Sequence, residues 1–278
     1  MSGTGNKNIS HEYAEIGEYV ISLNPSSECT LGIGHLSSSY CVMGSTENNG
    51  KVYCNMLQAV EIGRNVTRID NYAFSNCYSL TSVVIPEGVS FISYNAFYNC
   101  YSLTSVVIPE GVSFIDNYAF GNCYSLTSVV IPDSVTSISN SAFYNCYSLT
   151  SVVIPDSVTS IGGYAFRNCY SLASVVIGDS VTSIGDSAFR ECYSLASVVI
   201  PDSVTSIGNY VFYNCSGMAF YDFSQFTSVP TLGGTSAFFS IPSDCKIVVP
   251  DSLYNSWSTA TNWSSNASKM IKASKFNG

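Results

Sequence analysis

The chain has 278 residues, of which 10% are charged, with 10 Lys and Arg against 19 Asp and Glu and a net charge of -9. So few and so scattered cations exclude a protein that neutralises a DNA or RNA backbone, and no nucleic acid is expected as partner. No run of 18 or more apolar residues is present, which excludes a transmembrane helix.

Residues 1–53 share no pattern with the rest of the chain and are expected to form an N-terminal cap over an otherwise open apolar end. Residues 1–25 carry Glu15 and Glu18 and no sustained apolar core, unlike a secretory signal peptide. From Cys54 a cysteine returns every 23 residues, at Cys77, Cys100, Cys123, Cys146, Cys169, Cys192 and Cys215. Around most of them the chain repeats N-C-Y-S-L-T-S-V-V-I-P-D-S-V-T-S-I-G-x-x-A-F. A period of this length sustained over most of a chain marks a solenoid.

In the coil 77–99, Leu80, Val83 and Ile85 step like a strand buried on one side, and Pro86 ends it. Glu87-Gly88 makes a turn, Val89 and Ile92 form a second extended piece, and Ala96 and Phe97 precede the turn back. These residues and the cysteine are the expected inward set. One coil cannot bury such a face alone, and stacking makes the core continuous, over a length on the order of 40 Å for eight coils. Equivalent cysteines on neighbouring coils point the same way, so buried thiols are expected rather than bridges. No C-x-x-C pair suggests zinc, and no cofactor or metal is expected.

The regular phrase occupies residues 54–216, and residues 217–278 read as a C-terminal cap of short strands, such as Lys246 to Val249, and a helix. That helix is expected to be capped by Asp251 or Ser252, to run to roughly Ala273, and to be anchored by Trp257 and Trp263.

Within this chain most coil positions are copied almost letter for letter, but those flanking A-F are not. Tyr72, Tyr98, Tyr118, Tyr144, Tyr164, Arg167, Arg190, Tyr210 and Tyr213 fall in these variable loops, beside Asn, Ser and Gly. Such residues are typical of recognition surfaces, and loops on one side of a solenoid commonly carry specificity. They are the candidate binding residues, although relaxed constraint on solvent loops gives the same pattern.

Three uniform columns compete with them. An acidic column, Glu87, Glu110, Asp133, Asp156, Asp179 and Asp202, could attract a divalent cation but reads first as a set of turn acids. A tyrosine column from Tyr78 to Tyr193 could meet sugar rings or simply stack. A valine column, Val84 to Val199, on the strand surface offers a face for self-association or assembly. The only histidines are His11 and His35, no nucleophile motif occurs, and an enzyme is not expected.

With its I-P-D-S-V-T-S-I-G and A-F-x-N-C elements, the stretch from 54 to about 215 resembles the BspA-like class of leucine-rich repeats. The A-F-F-S-I-P-S-D-C-K-I-V-V-P-D-S-L-Y and A-T-N-W-S segments are similar to terminal segments of members from gut-dwelling bacteria. The resemblance implies a leucine-rich-repeat solenoid, β-rich, with a parallel sheet on one face and a capping helix at the C-terminal end. It also implies surface display and binding of protein or glycan on host or neighbouring cells. The alternative is a structural or virion-associated assembly component that binds through the valine face.

Overall fold

The computed structural model describes residues 57–277, together with the backbone of strands Val20–Leu23 and Cys29–Leu31. Among the described residues every strand pairing is parallel, and along the regular coils each joins a residue to its equivalent one coil away, as in Ser137↔Ser160 or Val152↔Val175. Two ladders run along the body. One contains the Ser-Val-Val strands, such as Ser82–Val84 and Ser151–Ile154, with burial alternating outward and inward. The other is a nine-stranded sheet of short strands, most of them two residues, such as Phe91–Ile92 and Ser183–Ile184. A third stack forms where the A-F turn of each coil donates to the next, as in Phe97 N to Ala119 O at 2.8 Å and Phe166 N to Ala188 O at 2.8 Å. Backbone groups that one coil leaves open are thus satisfied by its neighbour.

The inward set is as expected. Leu103, Val112, Ile115, Ala119, Phe120 and Cys123 are all fully buried, and their equivalents recur along the core. The phenylalanine column from Phe74 to Phe212 stacks with ring centroids 5.2–5.7 Å apart and planes within 8°. No disulfide joins the cysteines from Cys77 to Cys215 or Cys245. Instead each thiol from Cys100 to Cys215 donates to a phenylalanine carbonyl 26 residues earlier, for example Cys146 Sγ to Phe120 O at 3.4 Å. Burial pushes these thiols up, to about 12 for Cys215, so they are poor nucleophiles. Cys41, Cys54 and the side chain of Cys29 lie outside the described residues.

The ladders continue beyond the regular phrase. Phe220–Asp222 pairs with Ser197–Val199, Lys246–Val249 pairs with it in turn, and Met270–Lys272 closes that edge. At the other end Val20–Leu23 pairs with Ala59–Ile62 and Cys29–Leu31 with Val66–Ile69, so part of residues 1–53 extends both ladders.

The C-terminal helix is shorter than the sequence suggests. It spans Tyr254–Thr259 after a 3-10 turn, and Asp251 does not cap it. Ala260 is extended, Asn262 adopts a left-handed conformation at φ 64°, and a 3-10 segment covers Trp263–Lys269 before the strand. Residues 256–267 are rich in Ser, Thr and Asn, which favour local side-chain bonds over helix, and the open sheet edge draws Met270–Lys272 into a strand. Asp251 instead accepts from the Ser274 backbone N–H at 2.9 Å and from its hydroxyl, which holds its carboxyl below the ordinary value. The tryptophans are both buried, 4.5 Å apart by ring centroid, and pack against Phe223 and Phe238 of the same terminal segment. Trp263 Nε1 donates to Pro230 O at 2.8 Å.

Candidate binding surface

Each coil has two left-handed residues bracketing A-F. The second is asparagine in all but one coil from Asn76 to Asn214, and its amide makes a ladder: Asn99 Nδ2 to Asn76 Oδ1 at 2.8 Å, then Asn122, Asn145 and Asn168 onto their predecessors at 2.7 Å. Asparagine suits the left-handed backbone and supplies both a donor and an acceptor along the stack. Glu191 occupies the equivalent place in its coil and its side chain has no N–H to give, so Asn168 Oδ1 is buried without a donor. Glu191 instead holds Arg190 at 3.1 Å.

The first left-handed residue alternates between a large and a small side chain: Tyr72, Asn95, Tyr118, Ser141, Tyr164, Ser187, Tyr210. The position three residues later compensates in the first coils. Ser75 and Gly121 follow the tyrosines, while Tyr98 and Tyr144 follow the small residues. A Cβ on Gly121 would come within 3.0 Å of the Tyr98 ring and 3.2 Å of Tyr118. From Tyr72 to Tyr144 the variable loops are therefore a packed checkerboard with a two-coil period, which Tyr164 with Arg167 and Tyr210 with Tyr213 break.

Rings meet edge to face across it. Tyr72 and Tyr94 are 5.4 Å apart at 82°, Tyr98 and Tyr118 5.9 Å at 89°, and Tyr118 and Tyr144 6.3 Å at 80°. Arg167 lies 5.8 Å from the Tyr144 ring centre and 5.7 Å from that of Tyr164. Six of the nine sequence-selected residues thus form one continuous cluster. Five of the six, all but Tyr72, line a groove of about 510 Å³ together with Tyr94, Asn95 and Ser141.

The other three make a second cluster. Arg190 sits 4.6 Å over Tyr213 and 5.8 Å over Tyr210, and Tyr213 stacks on Phe239 at 5.7 Å. Phe239, 59% exposed, extends this patch. Tyr94, Asn95 and Ser141 belong to the variable positions that stand out in the sequence, although they are not among the nine selected residues, and Phe239 lies where the regular phrase has dissolved.

Two buried atoms at the groove lack partners: Asn95 Oδ1, on a residue only 8% exposed, and Arg167 Nε. Tyr94 and Tyr98 titrate above the ordinary tyrosine value, chiefly through desolvation, so their hydroxyls stay neutral donors.

The competing columns are also placed. The six carboxylates of the acidic column are exposed, and Asp156 Oδ1 accepts from the Asp179 backbone N–H of the next coil at 2.8 Å. Among the described residues no cluster of three His, Cys, Asp or Glu could hold a metal. Tyr78 to Tyr193 stack at 4.6–4.9 Å. The valine column stands out into solvent at 53–63% exposure, bounded in register by Glu61 and Asp222. No helix among the described residues is long and apolar enough to cross a membrane.

No protein with a curated description matches the chain. Among solved structures it is similar to a leucine-rich repeat protein of Treponema pallidum, at 36% identity over 58% of this chain and 77% of that one, with a TM-score of 0.56. It is also similar to a leucine-rich cell surface protein of Faecalibacterium prausnitzii, at 29% identity over 75% of this chain, with a TM-score of 0.46. The chain spans 64% of the length of that protein. The BspA type leucine-rich repeat region matches in six copies, over residues 48–173 and 136–268. The register of the coils, their inward set and this match together place the chain in the BspA-type leucine-rich repeat family, whose members are often surface-associated and engaged in binding.

Proposed function

We propose that the chain is a non-enzymatic binding module that recognises protein or glycan at a cell surface through its variable loops. The observation that carries this reading is the aromatic groove, where tyrosine rings surround an arginine and an asparagine that have buried, unpartnered atoms. Polar groups left unpaired at a concave aromatic site are what a ligand would satisfy. The surface location is supported by the family, whose members are often surface-associated. The non-enzymatic reading is supported by the confinement of both histidines to residues 1–53.

The test is binding of the purified chain to immobilised matrix proteins, mucin glycans and whole bacterial cells. It is compared with a variant in which Tyr98, Tyr144, Arg167 and Tyr213 are all replaced by Ser. Loss of binding with an unchanged fold supports the reading, and unchanged binding to every target contradicts it.

The exposed valine column favours a second reading, self-association or assembly through the strand face. A strictly monomeric species at high protein concentration contradicts that reading.

A further inference from the structure

We infer that the groove beside Arg167 takes a carboxylate-bearing sugar, of uronic- or sialic-acid type, from an acidic glycan. This inference deepens the binding reading above and rests on it.

Three arginines lie over aromatic rings: Arg68, Arg167 and Arg190. Arg68 has Asp70 at 3.6 Å and Arg190 has Glu191 at 3.1 Å. Arg167 has no carboxylate partner among the described residues, although Asp and Glu outnumber Lys and Arg by 19 to 10 in the chain. Its guanidinium is held between Tyr144 and Tyr164, and its Nε is buried with no acceptor. A planar fork of N–H donors held in place by rings is matched in shape and charge by a carboxylate.

The remaining chemistry of the groove selects the body that bears the carboxylate. Asn95 Oδ1 requires a hydroxyl or N–H donor, and Ser141, only 3% exposed, supplies a further hydroxyl. The walls are tyrosines that present faces and edges in turn, and none of the lining residues is aliphatic. A peptide anchored by an apolar side chain would find no aliphatic pocket, whereas a short acidic glycan lying along the groove offers flat C–H faces to the rings and hydroxyls to Ser141, one coil from Arg167, and to Asn95, three coils from it. Both unpartnered atoms are buried, so a ligand oxygen reaches them only by displacing a lining side chain. Ligand oxygens that slip between the rings meet groups already desolvated, where such contacts are strongest. At about 510 Å³ the groove is of ordinary small-ligand size.

The probes are sialyllactose and trigalacturonic acid, each with its neutral counterpart, lactose and the methyl-esterified trigalacturonate, plus hexaglutamate as an acidic peptide. Binding to the full chain is read by calorimetry and by tyrosine fluorescence. The expected result is that at least one acidic sugar binds at least tenfold more tightly than its neutral counterpart, and less tightly as salt is raised. Arg167→Gln should remove that preference, Arg167→Lys should restore part of it, and the exposed Arg64→Gln should leave it intact, with melting temperatures checking the fold.

Equal affinity for acid and neutral sugar overturns the inference, as does binding of hexaglutamate without either acidic sugar. If no sugar binds but cells or matrix proteins do, and the four-residue variant loses them, the ligand class is wrong and the binding module stands. If nothing binds at all, both fail.

Discussion

Glu191 is the residue at which a local rule is broken for an identifiable return. It interrupts the asparagine ladder, leaves Asn168 Oδ1 unpaired and occupies a left-handed conformation at φ 63°, yet it holds Arg190 against Tyr213. Glu191→Asn should restore the donor and raise stability by about 1–3 kcal/mol, measured by urea unfolding. No gain would mean that the ion pair outweighs the ladder. The cysteines carry a pH prediction. Their folded pKa values are raised by burial, so the stability they contribute is fully present below the unfolded value of about 8.5 and declines as pH rises through the folded values. Under reducing conditions the urea midpoint should fall between about pH 8 and 10, and Cys146→Ser should make that fall shallower. That these residues are buried thiols was legible from their equivalent positions. Their hydrogen bonds to phenylalanine carbonyls were not, because the acceptor lies 26 residues away on a neighbouring coil.

At the scale of the coil, the repeat itself displayed most of the fold. Alternation in Ser-Val-Val-Ile and the punctuation by proline and glycine predicted the strands and turns, and the inward set from Leu80 to Cys100 is buried as expected. Phe143 stacks on Phe120 and Phe166 in mid-solenoid, and Phe143→Ala should cost about 3–5 kcal/mol. Because neighbours carry a solenoid's stability, unfolding should also lose cooperativity, seen as separated transitions by different probes. The tail was less legible. Its letters suggest a helix to Ala273, but the free edge of Lys246–Val249 offers hydrogen bonds that a Ser- and Asn-rich helix cannot match, and a strand forms. Edge pairing is a tertiary effect and leaves no local periodicity. The checkerboard was half legible: the variable positions stood out in the sequence, but the compensation of Tyr98 by Gly121 needs the geometry of adjacent coils.

Over the whole molecule, one continuous core supports two exposed surfaces of different character. The valine column is uniform, flat and bounded by Glu61 and Asp222, so it repeats one chemistry along its length. The loop surface changes from coil to coil and concentrates tyrosines, two arginines and unpartnered buried atoms. A repeated surface suits a repeated contact, and a varied one suits a specific ligand. The measurement that tests this assignment most directly compares two variants on cells and mucin glycans that bind the parent chain. One carries serine at Tyr98, Tyr144, Arg167 and Tyr213; the other carries threonine at Val107, Val130 and Val153. The loop variant should lose binding while the valine variant keeps it, both with near-parental melting temperatures. Binding retained by the loop variant and lost by the valine variant would contradict the account and transfer the function to the strand face.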